Sequence, residues 1–224
     1  AASAGPVMGS SNEFKLVLRG KGAHAAMPHL GQDPVVAAAA LIQAWQSIVS
    51  RNLKPIDDSV ISTTILRAGE ASNVIPETCT LEGTVRTFTL EVLDTIETRM
   101  RDMAHAIAGA YGCVAEFHFE RNYPPTINHA AQAQIVQNAA AAVLGRSQVQ
   151  AQEPTMGAED FAYMLQVKPG CYFFLGNGDG DHRSSGHGMG PCMLHNPSYD
   201  FNDALLPIGI QIWAALVQTE LPAT

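Results

Sequence analysis

Charge is scarce in this chain. Asp, Glu, Lys and Arg make up 15 % of its 224 residues, and the 13 basic residues are outnumbered by 21 acidic ones, for a net charge of −8. Nucleic-acid binding is disfavoured on that ground, because a phosphate backbone asks for a basic footprint. No apolar run approaches the roughly 18 residues of a membrane helix. The opening Ala1-Ala2-Ser3-Ala4-Gly5-Pro6 has no basic region followed by an apolar one, so it is not read as a signal peptide. Cysteine is sparse too: Cys79, Cys113, Cys171 and Cys192 form no C-x-x-C pair and no disulfide framework, and a reducing cytoplasm is expected. There is no G-x-S-x-G nucleophile elbow, no Gly-rich phosphate loop with its Lys, and no H-E-x-x-H zinc motif. The chain starts at Ala1 rather than Met, which raises the expectation of a processed, trimmed or partial polypeptide.

Apolar residues, at 46 %, are ample for a core in one or two domains. Phe14, Leu16 and Leu18 alternate with Lys15, Val17 and Arg19, the period of a half-buried strand. Gly20 to Pro28 reads as a loop. Asp33-Pro34 opens a helix as N-cap and first helical residue, with Val35, Val36, Leu41, Ile42, Trp45, Ile48 and Val49 on its apolar face. Strands are expected at Val60–Leu66 and around Cys79–Val85. Leu93, Ile96, Met100, Met103, Ile107 and Ala110 mark a second helix closed by Gly112. Ala115, Phe117 and Phe119 mark a last strand. This order is that of a ferredoxin-like βαββαβ unit, with helices on one face of its sheet and free edges. Tyr123-Pro124-Pro125 breaks the pattern. Beyond it the sequence predicts a helix over 130–144, a strand near Val149, a short helix opened by Glu159-Asp160, a buried strand over 171–175, a Gly-rich loop over 176–197 and a helix over 202–220. That tail has too few strands for a whole α/β domain.

Several polar residues stand where a core has no use for them. His24 and His29 lie among small residues, which let another surface approach an imidazole. A surface turn is the simpler reading for His29, while His24 stays even between the two. Asn73 sits in a turn and Arg86 on the polar side of a strand, and each has a bland explanation. If their segments form a hairpin, amide and guanidinium can converge as a carboxylate clamp. Gly157, before Glu159-Asp160, can turn a backbone N–H toward an anion, though capping explains the carboxylates equally well. The loop 177–196 gathers Asp179, Asp181, His182, His187 and His195. Of these, His195 stands at an apolar-to-polar junction suited to a metal ligand, but a single imidazole is an incomplete site.

Four segments in order resemble one family. They are Gly22-Ala23-His24-Ala25-Ala26-Met27-Pro28-His29 with Asp33-Pro34, Ser72-Asn73-Val74-Ile75-Pro76 with Leu81-Glu82-Gly83-Thr84-Val85-Arg86-Thr87-Phe88, Met156-Gly157-Ala158-Glu159-Asp160-Phe161, and Leu194-His195-Asn196-Pro197-Ser198-Tyr199-Asp200-Phe201-Asn202-Asp203. The resemblance is to metal-dependent amidohydrolases of the aminoacylase, hippurate hydrolase and carboxypeptidase-G type. It implies a connector over 1–11, a lid and dimerisation domain over 12–124, and the C-terminal part of a zinc-peptidase-like catalytic domain over 125–224. It also implies hydrolysis of N-acyl amino acids such as hippurate by a site with two divalent metal ions, zinc or manganese. His195 would be a metal ligand. His24 would stabilise the oxyanion across a homodimer. Asn73 and Arg86, also reaching across, would hold the substrate carboxylate, and Gly157 would add a backbone contact to it. The family's Cys-Gly-His-Asp segment, its Glu-Glu pair and a further His have no counterpart ahead of Ser11, so a partial enzyme without turnover of its own is expected. The alternatives are a catalytically inert dimerisation module and, more remotely, a single-metal protein using His182, His187 and His195.

Overall fold

The computed structural model describes residues 1–178 and 194–221. It is a mixed α/β fold whose chain forms two compact units. The first comprises Pro6–Ile127 and Pro154–Val167; the second comprises Ala1–Gly5, Asn128–Glu153 and Lys168–Thr224. The sequence break at 123–125 lies close to where the chain leaves the first unit, but residues 154–167 return to it.

The first unit is built on strand β2 (Ser11–Arg19), helix α1 (Pro34–Arg51), strand β4 (Ser59–Ala68), strand β6 (Thr78–Thr87), helix α2 (Leu90–Ala110) and strand β7 (Val114–Tyr123). The four strands are antiparallel in the order β4-β6-β2-β7, so the βαββαβ arrangement read from the sequence is present. Alternation does the sorting. Phe14, Leu16 and Leu18 of β2 and Cys79, Leu81 and Val85 of β6 face the helices and are buried, while Glu13, Lys15, Glu82, Thr84 and Arg86 face the other way. Trp45 of α1 is fully buried beneath them. Its ring meets Phe14 edge-on at 5.0 Å and its indole N–H donates to the Met100 carbonyl at 3.2 Å.

The punctuation behaves as its chemistry demands. The Asp33 carboxylate accepts from Val35 N–H at 2.8 Å to start α1. Gly112, at φ 72°, ends α2. Cys113 N–H reaches back to Ala108 O and Gly112 N–H to Gly109 O, the paired bonds of a Schellman turn. Two short strands add to the predicted elements: β3 (Ala23–His24), within the segment read as loop, pairs with β5 (Val74–Ile75), just after the turn that holds Asn73. Strands β1 (Gly5–Met8) and β8 (Thr126–Asn128) form a two-stranded sheet of their own.

In the second unit helix α3 (Ala130–Leu144) packs on helix α5 (Leu206–Glu220), burying Ala133, Val136, Ala139 and Ile212. Two strand expectations fail here. Val149 follows a 3-10 turn (Arg146–Gln148) and pairs with nothing in a ladder. Residues 171–175 form no ladder and are only partly buried. Their backbone is held instead by Ala1, which accepts from Phe174 N–H at 2.8 Å, and by the Asn128 amide, which bonds both N–H and C=O of Tyr172 at 2.7 Å. An apolar run alone does not make a strand when no neighbouring strand supplies the second row of bonds. Helix α4 (Phe161–Val167) belongs to the first unit and starts just after Glu159-Asp160.

Candidate functional site

The first unit carries two groups of candidate residues. The β3–β5 pairing brings His24 opposite Val74, and Ala25 N–H donates to the Asn73 carbonyl at 2.9 Å, so His24 and Asn73 are neighbours. The small residues of the 20–33 segment have a packing reason. A Cβ on Gly20 would lie 2.1 Å from Gln32 O, where Lys21 and Gln32 exchange backbone bonds and fold the loop back on itself. His24 is exposed, and its Nδ1 accepts from Ala26 N–H at 3.1 Å. A nitrogen that accepts from a backbone N–H carries no proton, so the neutral ring holds its proton on Nε2, which is left as an outward donor.

Arg86 lies on the open face of β6 and is half-buried. Its Nε donates to Thr84 Oγ1 at 3.1 Å, and the Thr84 hydroxyl donates to Asn12 O at 2.9 Å. A groove of about 410 Å³ runs beside it along the open face, lined by Lys15, Glu82, Thr84, Arg86, His118 and Glu120 among others. The same end of the sheet holds residues 155–157: Gly9 N–H donates to Thr155 O at 2.9 Å, and Ser10 N–H to Thr87 O at 2.7 Å. Gly157 thus lies at the Arg86 end, but its N–H points at Thr155 Oγ1 at 3.3 Å, four residues ahead of α4 rather than in its first turn.

The two groups do not converge within one chain. The β4–β6 hairpin forms as the sequence suggests, with Ala68 opposite Cys79 and Val60 opposite Arg86. Asn73 lies beyond one end of that ladder and Arg86 at the other. Seven strand residues at roughly 3.3 Å each separate Cys79 from Arg86, about 23 Å. One copy cannot clamp one carboxylate with both side chains, so the convergence expected of a hairpin is corrected by its register.

In the second unit His195 takes φ 66° in a turn and is exposed. Left-handed backbone is uncommon for a residue with a Cβ and collects at functional positions. The surrounding motif is stitched by asparagines. Asn196 Oδ1 accepts from Ser198 N–H at 2.9 Å. Asn177 and Asn202 bond each other's backbone, and Asn202 Oδ1 also accepts from Ala204 N–H ahead of α5. Asp179, Asp181, His182 and His187 lie outside the described residues.

The sequence matches peptidase family M20/M25/M40 over residues 8–219. The chain belongs to that family. It is 35 % identical over 212 residues to the N-acetylcysteine deacetylase of Bacillus subtilis, covering 95 % of this chain and 52 % of the relative. It is 32 % identical over 216 residues to the IAA-amino acid hydrolase ILR1-like 4 of Arabidopsis thaliana, covering 95 % and 48 %. The fold superposes on a dinuclear metal-binding peptidase of the M20 family from Bacillus subtilis with a TM-score of 0.71 at 28 % identity, covering 99 % of this chain and 53 % of the other. The chain spans about half the length of the curated relatives it matches.

Against that family, the donor set of this M20 chain is thin. Among the described residues no three His, Cys, Asp or Glu side chains gather to hold a metal ion. His195 is one donor and not a centre, so the described residues by themselves do not fit a dinuclear site. What they offer is a hydrogen-bond donor at His24 and a cation at Arg86. Burial pushes the thiols of Cys79, Cys113 and Cys171 above the usual thiol range. The residues that support Arg86, namely Thr84, Asn12, Ser10 and Thr87, escape a reading by sequence. Asn12 carries the one visible signal, a polar residue at a position whose alternation asks for an apolar one.

Proposed function

We propose that this chain serves a metallo-amidohydrolase that cleaves the amide bond of N-acyl amino acids, hippurate among them. In this reading residues 12–124 are the lid and residues 125–224 the C-terminal part of the catalytic domain. The observation that carries it is His24, its Nδ1 occupied and its Nε2–H free, beside Asn73 at one end of a sheet whose other end presents Arg86. A neutral imidazole N–H aimed at a carbonyl oxygen strengthens its hydrogen bond as negative charge develops there, the requirement for stabilising a tetrahedral oxyanion. The guanidinium fork of Arg86 suits the free carboxylate of an N-acyl amino acid.

Because Asn73 lies beyond one end of a ladder that runs about 23 Å from Cys79 to Arg86, one substrate engages both groups only if a second copy supplies one of them. Edge strand β4 offers the geometry. Pairing two β4 strands antiparallel about a twofold axis sets the Ala68 end of one beside the Ser59 end of the other. His24 and Asn73 of one copy then lie two or three strand spacings, roughly 10–15 Å, from Arg86 of its partner. Pairing through the opposite edge, β7, puts two more strand spacings between Asn73 and the partner's Arg86. Zinc or manganese would be held by His195 together with groups outside the described residues. Helix α5 fits a place inside a larger domain, since Leu206, Ile210, Trp213, Val217 and Leu221 recur along one face and are exposed. The free thiols Cys79, Cys113 and Cys171 fit a reducing compartment, the cytoplasm.

Titrating the chain with N-benzoylglycine while following backbone amide resonances tests the reading. Shifts are expected at 24–26, 73–74 and 84–86 and are lost in Arg86→Ala; shifts confined to other surfaces contradict it. A second reading, an inert dimerisation module, draws on the lack of a three-ligand cluster among the described residues. Hippurate hydrolysis by this chain with added manganese or zinc, abolished by His195→Ala, rules out that reading and the expectation of a partial enzyme without turnover alike.

A further inference from the structure

The open face of the sheet carries a hydrogen-bond chain that ends on Arg86. Arg86 Nε–H donates to Thr84 Oγ1 at 3.1 Å, and the Thr84 hydroxyl donates onward to Asn12 O at 2.9 Å. Both bonds use the hydroxyl in the sense it allows, one lone pair accepting and the single proton donated. Asn12 is itself immobilised. It is fully buried, and its Nδ2 donates to Ser10 Oγ at 2.9 Å and to Val85 O at 3.0 Å. Ser10 Oγ in turn accepts from Thr87 N–H at 3.0 Å and lies 3.1 Å from Thr87 Oγ1, which donates to Thr89 O at 2.9 Å. Residues on both sides of Arg86, Val85 and Thr87, are thereby fixed to the start of β2.

This network is more than the sheet needs. Ser10, Asn12 and Thr87 are fully buried, and Asn12 Oδ1 has no partner at all. Apolar residues would fill the space without leaving a polar atom unsatisfied. What the network adds is a fixed anchor for the Thr84 hydroxyl. With Nε held there, the guanidinium plane is set, and its two terminal nitrogens remain to fork onto a carboxylate.

We infer that Thr84, anchored through Asn12, is the positioning residue that orients Arg86 for a substrate carboxylate. The inference rests on the proposed role of Arg86 and assigns to Thr84 the preference for a free carboxylate over its neutral amide. Thr84 touches no substrate in this account. It acts by denying Arg86 the rotamers in which the fork turns away, so its loss reduces the discrimination rather than abolishing binding.

The test compares N-benzoylglycine with N-benzoylglycinamide on the full chain and on Thr84→Val and Thr84→Ser. Valine keeps the shape and the strand preference but removes the hydroxyl; serine keeps the hydroxyl. Each chain gives an acid-to-amide affinity ratio and the linewidth of the Arg86 Nε–H resonance. The wild type should prefer the acid. Thr84→Val should lower the ratio roughly three- to tenfold, the effect of one hydrogen bond, and broaden the resonance, while Thr84→Ser restores both. Loss of folded protein lowers the apparent binding of both ligands together and leaves the ratio unmoved. A Thr84→Val chain with the wild-type ratio and a narrow resonance overturns the inference while leaving the carboxylate role of Arg86 standing. A wild type that does not prefer the acid overturns that role, and the inference with it.

Discussion

Gly83 sits where the sheet is tightest, and replacing it with alanine should break the first unit. It faces the helix side of β6, opposite Phe14 and beside the β4 bulge between Thr63 and Ile65. A Cβ at Gly83 would lie 2.0 Å from Ser62 O and 2.6 Å from Phe14 Cζ. Neither neighbour can yield cheaply. Ser62 O is backbone, so clearing it displaces the edge strand by more than about an ångström and strains ladder bonds worth about 1 kcal/mol each. Phe14 is wedged against Trp45, with ring centroids 5.0 Å apart. Overpacking of a close-packed core costs about 1–3 kcal/mol. With two ladder bonds weakened, the sum for Gly83→Ala is about 3–5 kcal/mol. Trp45 fluorescence in a Trp213→Phe background reports the first unit alone, since these are the two tryptophans of the chain. Thermal unfolding followed this way should drop by roughly 10 °C or more. A Gly83→Ala chain within about 0.5 kcal/mol of the wild type, the range of a benign surface change, refutes the packing argument at this point.

Asp33→Ala removes the bond to Val35 N–H that starts α1, and urea denaturation should show a loss of about 1 kcal/mol, with Asp33→Asn recovering most of it; equal stability of all three chains contradicts the cap. Burial raises the thiols of Cys79 and Cys113 in the folded state, so their contribution is intact below the ordinary thiol value of 9.0 and is lost as pH rises through the folded values. Unfolding free energy should therefore fall above that pH, and both thiols should resist thiol reagents until the chain unfolds; rapid modification of either in the native state contradicts their burial.

Local chemistry made much of the fold legible. Asp33-Pro34, Gly112 and the alternation along β2 and β6 each state a conformation that only a few residue types support, and all were read from neighbours within a few positions. The failures share a cause. Residues 171–175 have the composition of a strand, but a ladder requires a partner, and here Asn128 and Ala1 supply the bonds instead. The β3–β5 pair joins two-residue strands some fifty positions apart, too short for any periodicity, yet it is what sets His24 beside Asn73. The candidate residues were visible as types, whereas their arrangement waited on the register of β4 against β6. Thr84 looked like an ordinary solvent-facing strand residue, and only the direction of its hydroxyl distinguishes it.

Mixing two defective chains tests the shared site most directly. Arg86→Ala retains the His24 group and His24→Ala retains the Arg86 group, and neither alone should bind N-benzoylglycine at the wild-type affinity. When the two are unfolded together and refolded as a mixture, random pairing about a twofold axis should restore about a quarter of the wild-type sites by calorimetric stoichiometry. A mixture that binds no better than its parents contradicts a site assembled from two copies.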